Sequence, residues 1–362
     1  MILHGQVVEQ SVDHDDRDKF VKEYVLASGS MPIAMVRKRL ARLPAPPGGD
    51  LDAAAAPTRA PVLLLHGYAQ NRYAFHLPSR SLANHLARAG FDVFNADLRG
   101  RGRSAHLGAH RPGDVRDFVT EDVPAALDAI AELSGPRPVF LVGHSLGGVV
   151  SYCVACDRPQ RVAGIVSFGS PYHFALGSRW LGALARAFVA LDRRFGLPNL
   201  PVPAHAYGAF VRTARALVES PVHPLPLRGF HRGSMEPGVL DEHMRLAMDR
   251  GSISTMRGMF EWANEIRERR HEGDQGLFGY AARFESQDVP LLVIAGEHDD
   301  LAPPESVRPA FERSRSSDKT YRALPFGHVD MLVGRDAPRL TWPLVTSWLL
   351  ERAAGGSRQT AA

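Results

Sequence analysis

The stretch Gly143-His144-Ser145-Leu146-Gly147 constrains the fold of this chain more than any other. Before it, Val139-Phe140-Leu141-Val142 is apolar and partly β-branched, which predicts a buried strand. After it, Gly148-Val149-Val150-Ser151-Tyr152-Cys153-Val154-Ala155-Cys156 predicts a helix packed on a core. A strand, a sharp turn and a helix around G-x-S-x-G make Ser145 a candidate nucleophile. So tight a turn needs neighbours two residues away with almost no side chain, and Gly143 and Gly147 supply them. The turn lifts the Ser145 hydroxyl above the sheet edge. It also points the Leu146 backbone N–H, at the start of the helix, toward an oxygen on which charge develops. A glycine-rich turn with a chance serine is the bland alternative. It is disfavoured because the flanks fit and partners for the serine occur further along.

On either side of this turn the chain alternates. Strands are predicted at 62–65, 91–96, 139–142 and 162–168, with helical patterns at 75–89 and 115–133 between them. Repeated strand–helix–strand units imply a parallel sheet with helices on both faces. Upstream, residues before about Asp18 are polar and expected to fray, 20–26 and 32–40 are expected as strands around Ser28-Gly29-Ser30, and 44–61 reads as a surface connection. The alternation breaks from about Tyr172 to Glu285, where no strand is expected. Helical pieces at 180–195, 206–218, 240–249 and 255–269 are joined by proline-rich loops such as 221–226. Strands return at 290–295 and 320–324, with helices at 304–314 and 339–353 and a loose tail. The expected organisation is an α/β core in two parts, residues 1–171 and 287–362, interrupted by a helical cap at 172–286.

Composition sets the outer limits. At 362 residues, 44% hydrophobic and 23% charged, the chain has an ordinary globular balance and can bury a large core. Its net charge of +4 is carried by scattered arginines, which argues against nucleic-acid binding. No run of about 18 apolar residues predicts a membrane span. The N-terminal region, with Asp13, Asp15, Asp16 and Asp18, has no basic and apolar stretches of a signal peptide. Cys153 and Cys156, the only cysteines, read as buried core thiols rather than a redox or metal pair. Together these suggest a soluble cytoplasmic protein. The glycine-rich loop from Asp97 to Ser104 lacks the spacing of a phosphate-binding loop.

Each polar candidate falls at the C-terminal end of a predicted strand, where open α/β sheets place their sites. A serine hydroxyl needs a base, and His328, in the loop after the last strand, is the best placed. The base needs an acid to fix its tautomer, and Asp299 or Asp300, after the preceding strand, is in reach. Asp330 is a remote alternative. The order Ser, Asp, His is that of hydrolases built on such a turn.

These residues carry a resemblance. The His66-Gly67 turn, the Asp97-x-Arg99-Gly100-x-Gly102-x-Ser104 loop, the Gly-x-Ser-x-Gly turn, the Gly296-x-x-Asp299-x-x-x-Pro303 segment and the late Gly327-His328 occur in the order found in α/β-hydrolase-fold serine hydrolases of the esterase and lipase kind. The resemblance covers residues 20–353 apart from the insertion. It implies a mostly parallel central sheet with helices on both faces and a helical cap. It favours Asp299 over Asp300, and it implies that the Tyr68 N–H joins that of Leu146 in an oxyanion hole. Relatives with Asp at the nucleophile position open epoxides or dehalogenate, and polyester synthases use Cys. Ser145 argues against both, although residues 295–348 also resemble the synthase and acid-lipase branches.

The expectation is therefore an acyl-enzyme on Ser145, formed from a small hydrophobic ester, with no cofactor and no metal. An acyltransferase using the same three residues is the enzymatic alternative, and a non-catalytic hydrolase-fold binding protein is the alternative of another class. Thioester, amide and carbon–carbon cleavage remain open. His66 and His144 are expected to bond or pack locally, His298 to lie on the surface, and Asp97 and Arg99 to brace their loop. His243 and His271 show no metal-ligand spacing. Trp180, Phe188, Phe210, Phe230, Met235, Met244, Met248, Met256, Met259, Phe260 and Trp262 are expected to form the insertion's own core, with some lining an apolar acyl pocket.

Overall fold

The computed structural model describes residues 1–42, 50–220, 228–268, 280 and 283–359. The 221–226 loop, His271, the start of the 44–61 connection and the Trp262 side chain lie outside that description.

The strands in chain order are β1 (Ile2–Asp13), β2 (Asp16–Ser28), β3 (Pro32–Leu40), β4 (Pro61–Leu65), β5 (Asp92–Asp97), β6 (Val139–His144), β7 (Val162–Phe168), β8 (Pro201–Pro203), β9 (Arg250–Ser252), β10 (Leu291–Gly296) and β11 (Lys319–Leu324). Nine of them form one sheet in the order β1-β2-β3-β5-β4-β6-β7-β10-β11. From β5 to β11 every neighbouring pair is parallel, while β1, β2 and β3 add an antiparallel edge. β4, β5, β6 and β10 are buried along their whole length, as expected of strands covered on both faces.

Successive side chains of these strands point to opposite faces, and each face owns a core. Leu63, Leu65, Leu141 and Val293 pack against the helices Val123–Ser134 and Leu146–Asp157. Val62, Leu64, Phe140 and Leu292 pack against Leu82–Arg88 and Ala337–Gln359. This is the α/β-hydrolase architecture that the resemblance implies.

Several local expectations are corrected. Residues 2–13 do not fray: they form β1, paired with β2 in register Val7↔Val21, and Val12 is buried. An edge strand is held by backbone pairing, so its mixed side chains, with no sustained apolar alternation, conceal it. The helix expected at 75–89 starts only at Leu82, where the Ser81 hydroxyl accepts the Asn84 N–H as an N-cap. The 304–314 helix splits at Pro309 into Pro304–Val307 and Pro309–Arg313, since proline removes a helical N–H. In the segment where no strand was expected, β8 and β9 pair antiparallel. Among its described residues the helices are Arg179–Phe195, Ala204–Thr213, Arg215–Val218, Pro237–Leu246 and Ile253–Glu268. Among the described residues no helix is long and apolar enough to cross a membrane.

Candidate active site

Ser145 joins β6 to the helix Leu146–Asp157 with φ 52° and ψ −119°, a backbone conformation that non-glycine residues rarely adopt. The turn is pressed so closely on its surroundings that a Cβ on Gly147 would lie 2.0 Å from the Leu65 carbonyl oxygen of β4, and one on Gly143 2.3 Å from the Gly148 nitrogen. Within residues 139–156 only Ser145 escapes full burial.

His328 follows β11 and Asp299 follows β10. The structure brings them together: His328 Nδ1 lies 2.8 Å from Asp299 Oδ2. A carboxylate only accepts, so Nδ1 carries the proton and the Nε2 lone pair is left as the basic atom. The other Asp299 oxygen accepts the N–H groups of Leu301 and Ala302, at 2.9 and 2.7 Å, which fixes the carboxylate. Gly169, just after β7, makes room for the pair: its Cβ would meet Asp299 Oδ2 at 2.9 Å. Burial disfavours the imidazolium, but the carboxylates of Asp299, Asp300 and Asp330 outweigh burial and raise the His328 pKa above the ordinary value.

The two other acid candidates have different partners. Asp300 accepts the backbone N–H groups of Arg228 and Gly229, at 2.5 and 3.0 Å, and so anchors the helical segment. Asp330 accepts those of Gly327 and His231 and braces the His328 loop.

The turn after β4 lies against Ser145, because a Cβ on Gly67 would come 3.1 Å from the Ser145 Cβ. Among the described residues no acceptor pairs with the backbone N–H of Tyr68 or of Leu146. The Tyr68 hydroxyl donates to the Ser252 carbonyl at 3.2 Å, and burial pushes its pKa up to about 12. His66 bonds locally, with Nε2 accepting the Leu98 N–H at 3.1 Å. His144 is buried, and its Nε2 donates to the backbone carbonyl of His328 at 2.9 Å. Its Nδ1 lies 3.0 Å from Gln70 Oε1, the atom that accepts the Gly67 N–H. Gln70 thus braces the β4 turn and lies against His144, which in turn holds the His328 loop. Sequence reasoning missed Gln70, because nothing about a lone glutamine in a turn signals its partners.

The remaining candidates fall into place. His298 is exposed and stacks on His231 at 4.0 Å. Asp97 accepts the backbone N–H groups of Arg72 and Arg103, and Arg99 pairs with Asp122 and Glu121, so both brace their loops. The end of the glycine-rich loop is a short helix, Gly102–His106. Cys153 and Cys156 are free and buried, and burial raises both thiol pKa values.

A narrow apolar pocket opens on Ser145, lined by Val115, Val149, Pro171, Phe174 and Met259, with about 10 Å³ of room, enough for about one water. Phe174 and Met259 come from the helical segment. Phe188, Met256 and Phe260 instead form a small cluster of that segment's own, Phe230, Met235 and Met244 join the sheet core, and Trp180 is 69% exposed.

Comparison with known proteins matches this geometry to a family. Residues 60–334 fit the family model described as alpha/beta hydrolase fold. A poly(3-hydroxyalkanoate) polymerase subunit of Haloferax mediterranei is 25% identical over 83% of this chain and 60% of its own length. The chain therefore spans about three fifths of the curated polymerase subunits it matches. A monoacylglycerol lipase of Mycolicibacterium smegmatis is 25% identical over 81% of this chain and 88% of its own. The crystal structure of a Paleococcus ferrophilus monoacylglycerol lipase superposes with a TM-score of 0.55 at 21% identity, covering 82% of this chain and 96% of that one. With three quarters of the chain inside the family model and the sheet, the strained serine turn and the late histidine in family order, the chain belongs to the α/β-hydrolase fold family.

Proposed function

We propose that this chain is a serine hydrolase that cleaves carboxylic esters of hydrophobic acyl groups. The observation that carries this reading is the Asp299–His328 pair, 2.8 Å apart, on loops that follow neighbouring parallel strands of the sheet bearing Ser145. The lipase among its relatives and the apolar wall beside Ser145 support the ester class.

In this reading His328 Nε2 takes the Ser145 proton as Oγ bonds to the ester carbonyl carbon. Asp299 holds the ring and stabilises the imidazolium. The N–H groups of Leu146 and Tyr68 bind the oxyanion, each worth about 3 kcal/mol in the transition state. Collapse breaks the carbon–oxygen bond, and the His328 proton goes to the departing alcohol. Water, deprotonated by His328, then attacks the acyl-enzyme, which releases the acid and restores Ser145. Residues 172–286 act as a cap over the apolar pocket. With room for about one water, the cap has to shift before an acyl chain enters.

Hydrolysis of p-nitrophenyl esters from acetate to palmitate tests this. Turnover should rise with acyl length, and Ser145→Ala should lower kcat by roughly three to six orders of magnitude. Equal turnover by the variant removes Ser145 from the mechanism. The polymerase relatives favour a second reading, transfer of the acyl group to an alcohol or thiol in place of water. Added acceptor alcohol decides it: a product mixture dominated by the new ester over free acid supports transfer.

A further inference from the structure

A second cleft, of about 1120 Å³, opens where the helical segment meets the core and shares no lining residue with the pocket at Ser145. Its walls carry Arg72, Arg103, His106, His110 and Arg111 from the core and Arg250 from β9. Arg72 pairs with Asp97, but among the described residues no carboxylate pairs with Arg103, Arg111 or Arg250. Arg103 lies over the Tyr24 ring at 4.5 Å, and Arg111 donates to the Asn199 carbonyl at 3.2 Å. The one carboxylate in the lining, Asp249, already accepts from the Asn71 side chain and from the backbone N–H groups of Gly102 and Arg250.

Between two lining residues, Gly100 and Gly102, the chain carries a further cation. Arg101 is 1% exposed, its Nη2 has no partner among the described residues, and Nη1 makes only a long bond of 3.4 Å to the Gly100 carbonyl. Burial lowers its pKa, against the opposing pull of Tyr68, Asp249 and Asp122. A buried guanidinium that hydrogen-bonds to no carboxylate is costly. Arg103, Arg111 and Arg250 are exposed and line one roomy cleft, where a multiply charged anion finds several guanidinium donors at once.

We propose that this cleft binds a phosphate-bearing anion. Guanidinium groups present planar forks of N–H donors that match phosphate oxygens in pairs. Asp97 takes the fork of Arg72, whereas Arg103, Arg111 and Arg250 pair with no carboxylate among the described residues and share the cleft with two histidines. The arginines come from both sides of the seam, so the ligand bridges the core and the helical segment. Binding here does not require the Ser145 hydroxyl.

The test is calorimetric titration of the full chain with pyrophosphate and with inorganic phosphate at low and at high salt. The wild type should bind pyrophosphate more tightly than phosphate, and less tightly as salt rises. The triple variant Arg103→Gln/Arg111→Gln/Arg250→Gln should weaken binding at least about tenfold, and Arg111→Gln alone should weaken it measurably if the triple variant misfolds. Arg186→Gln, on an exposed helix elsewhere, should leave it unchanged. Ser145→Ala should bind like the wild type, which separates this proposal from the catalytic one. Given binding, competitive inhibition of ester hydrolysis by pyrophosphate assigns the phosphate to the substrate's own head group, and unchanged hydrolysis assigns it to a separate ligand. Absence of binding to the wild type at millimolar pyrophosphate, or equal binding by wild type and triple variant, overturns the site.

Discussion

At the scale of single residues, His328 sets the pH at which the proposed chemistry can run. The reacting form is the neutral ring, and its pKa lies above the ordinary imidazole value of about 6.5, because the surrounding carboxylates outweigh burial. Activity should therefore fall as pH drops through a value higher than about 6.5. Folding responds in the opposite sense: the protonated ring's contribution to stability is full below the unfolded value and is lost as pH rises through the folded one. Asp299→Asn should move the acid limb of kcat/KM to lower pH, since burial remains and the nearest carboxylate is gone. It should also lower kcat by roughly three to four orders of magnitude. A pH–rate profile of wild type and variant measures both effects, and a limb that stays in place would mean that His328 is not the titrating base.

At the scale of elements, the serine turn depends on the contact between the helix that follows it and β4. A methyl group on Gly147 would overlap the Leu65 carbonyl, a backbone atom that moves only if β4 moves. Gly147→Ala should cost about 3 kcal/mol or more in urea unfolding. Gly238→Ala is the contrast: it sits in the helix Pro237–Leu246 with nothing within 4 Å of its Cβ position, so it should gain about 0.5–1 kcal/mol. These glycines also show what the sequence makes legible. β4, β6 and β10 announce themselves as apolar runs because both of their faces are covered, and the close approach at Gly143 and Gly147 follows from the turn type. β1 does not announce itself, because an edge strand is held by main-chain hydrogen bonds that any polar sequence can make. Asp299 and Asp300 are adjacent and alike in sequence. The spacing from Gly296 that the resemblance carries favours Asp299, and the fold gives it the His328 ring and Asp300 the N–H groups of Arg228 and Gly229. Gln70 and the arginine-lined seam are invisible, since their partners come from distant parts of the chain.

At the scale of the whole molecule, several histidines are buried in neutral form. Burial lowers His66, His76 and His144, and takes His85 and His243 down to about 4. A depressed folded pKa gives stability that is present above the unfolded value of about 6.5 and lost as pH falls toward the folded one. For His85 and His243 the window runs from about 6.5 down to about 4, at about 1.4 kcal/mol per pH unit for each. His328 opposes this trend, but it is outnumbered. Urea midpoints measured from pH 7 to pH 5 should therefore drop steadily. His243 offers the cleanest handle, because both of its ring nitrogens lack partners among the described residues, so an apolar replacement breaks no hydrogen bond there. His243→Leu should flatten the acid slope by about one proton's worth and raise stability at pH 5 relative to wild type. A slope identical to that of the wild type would show that His243 is already charged in the folded chain, or that it meets a counter-charge on the helix Pro237–Leu246 or the core beneath it.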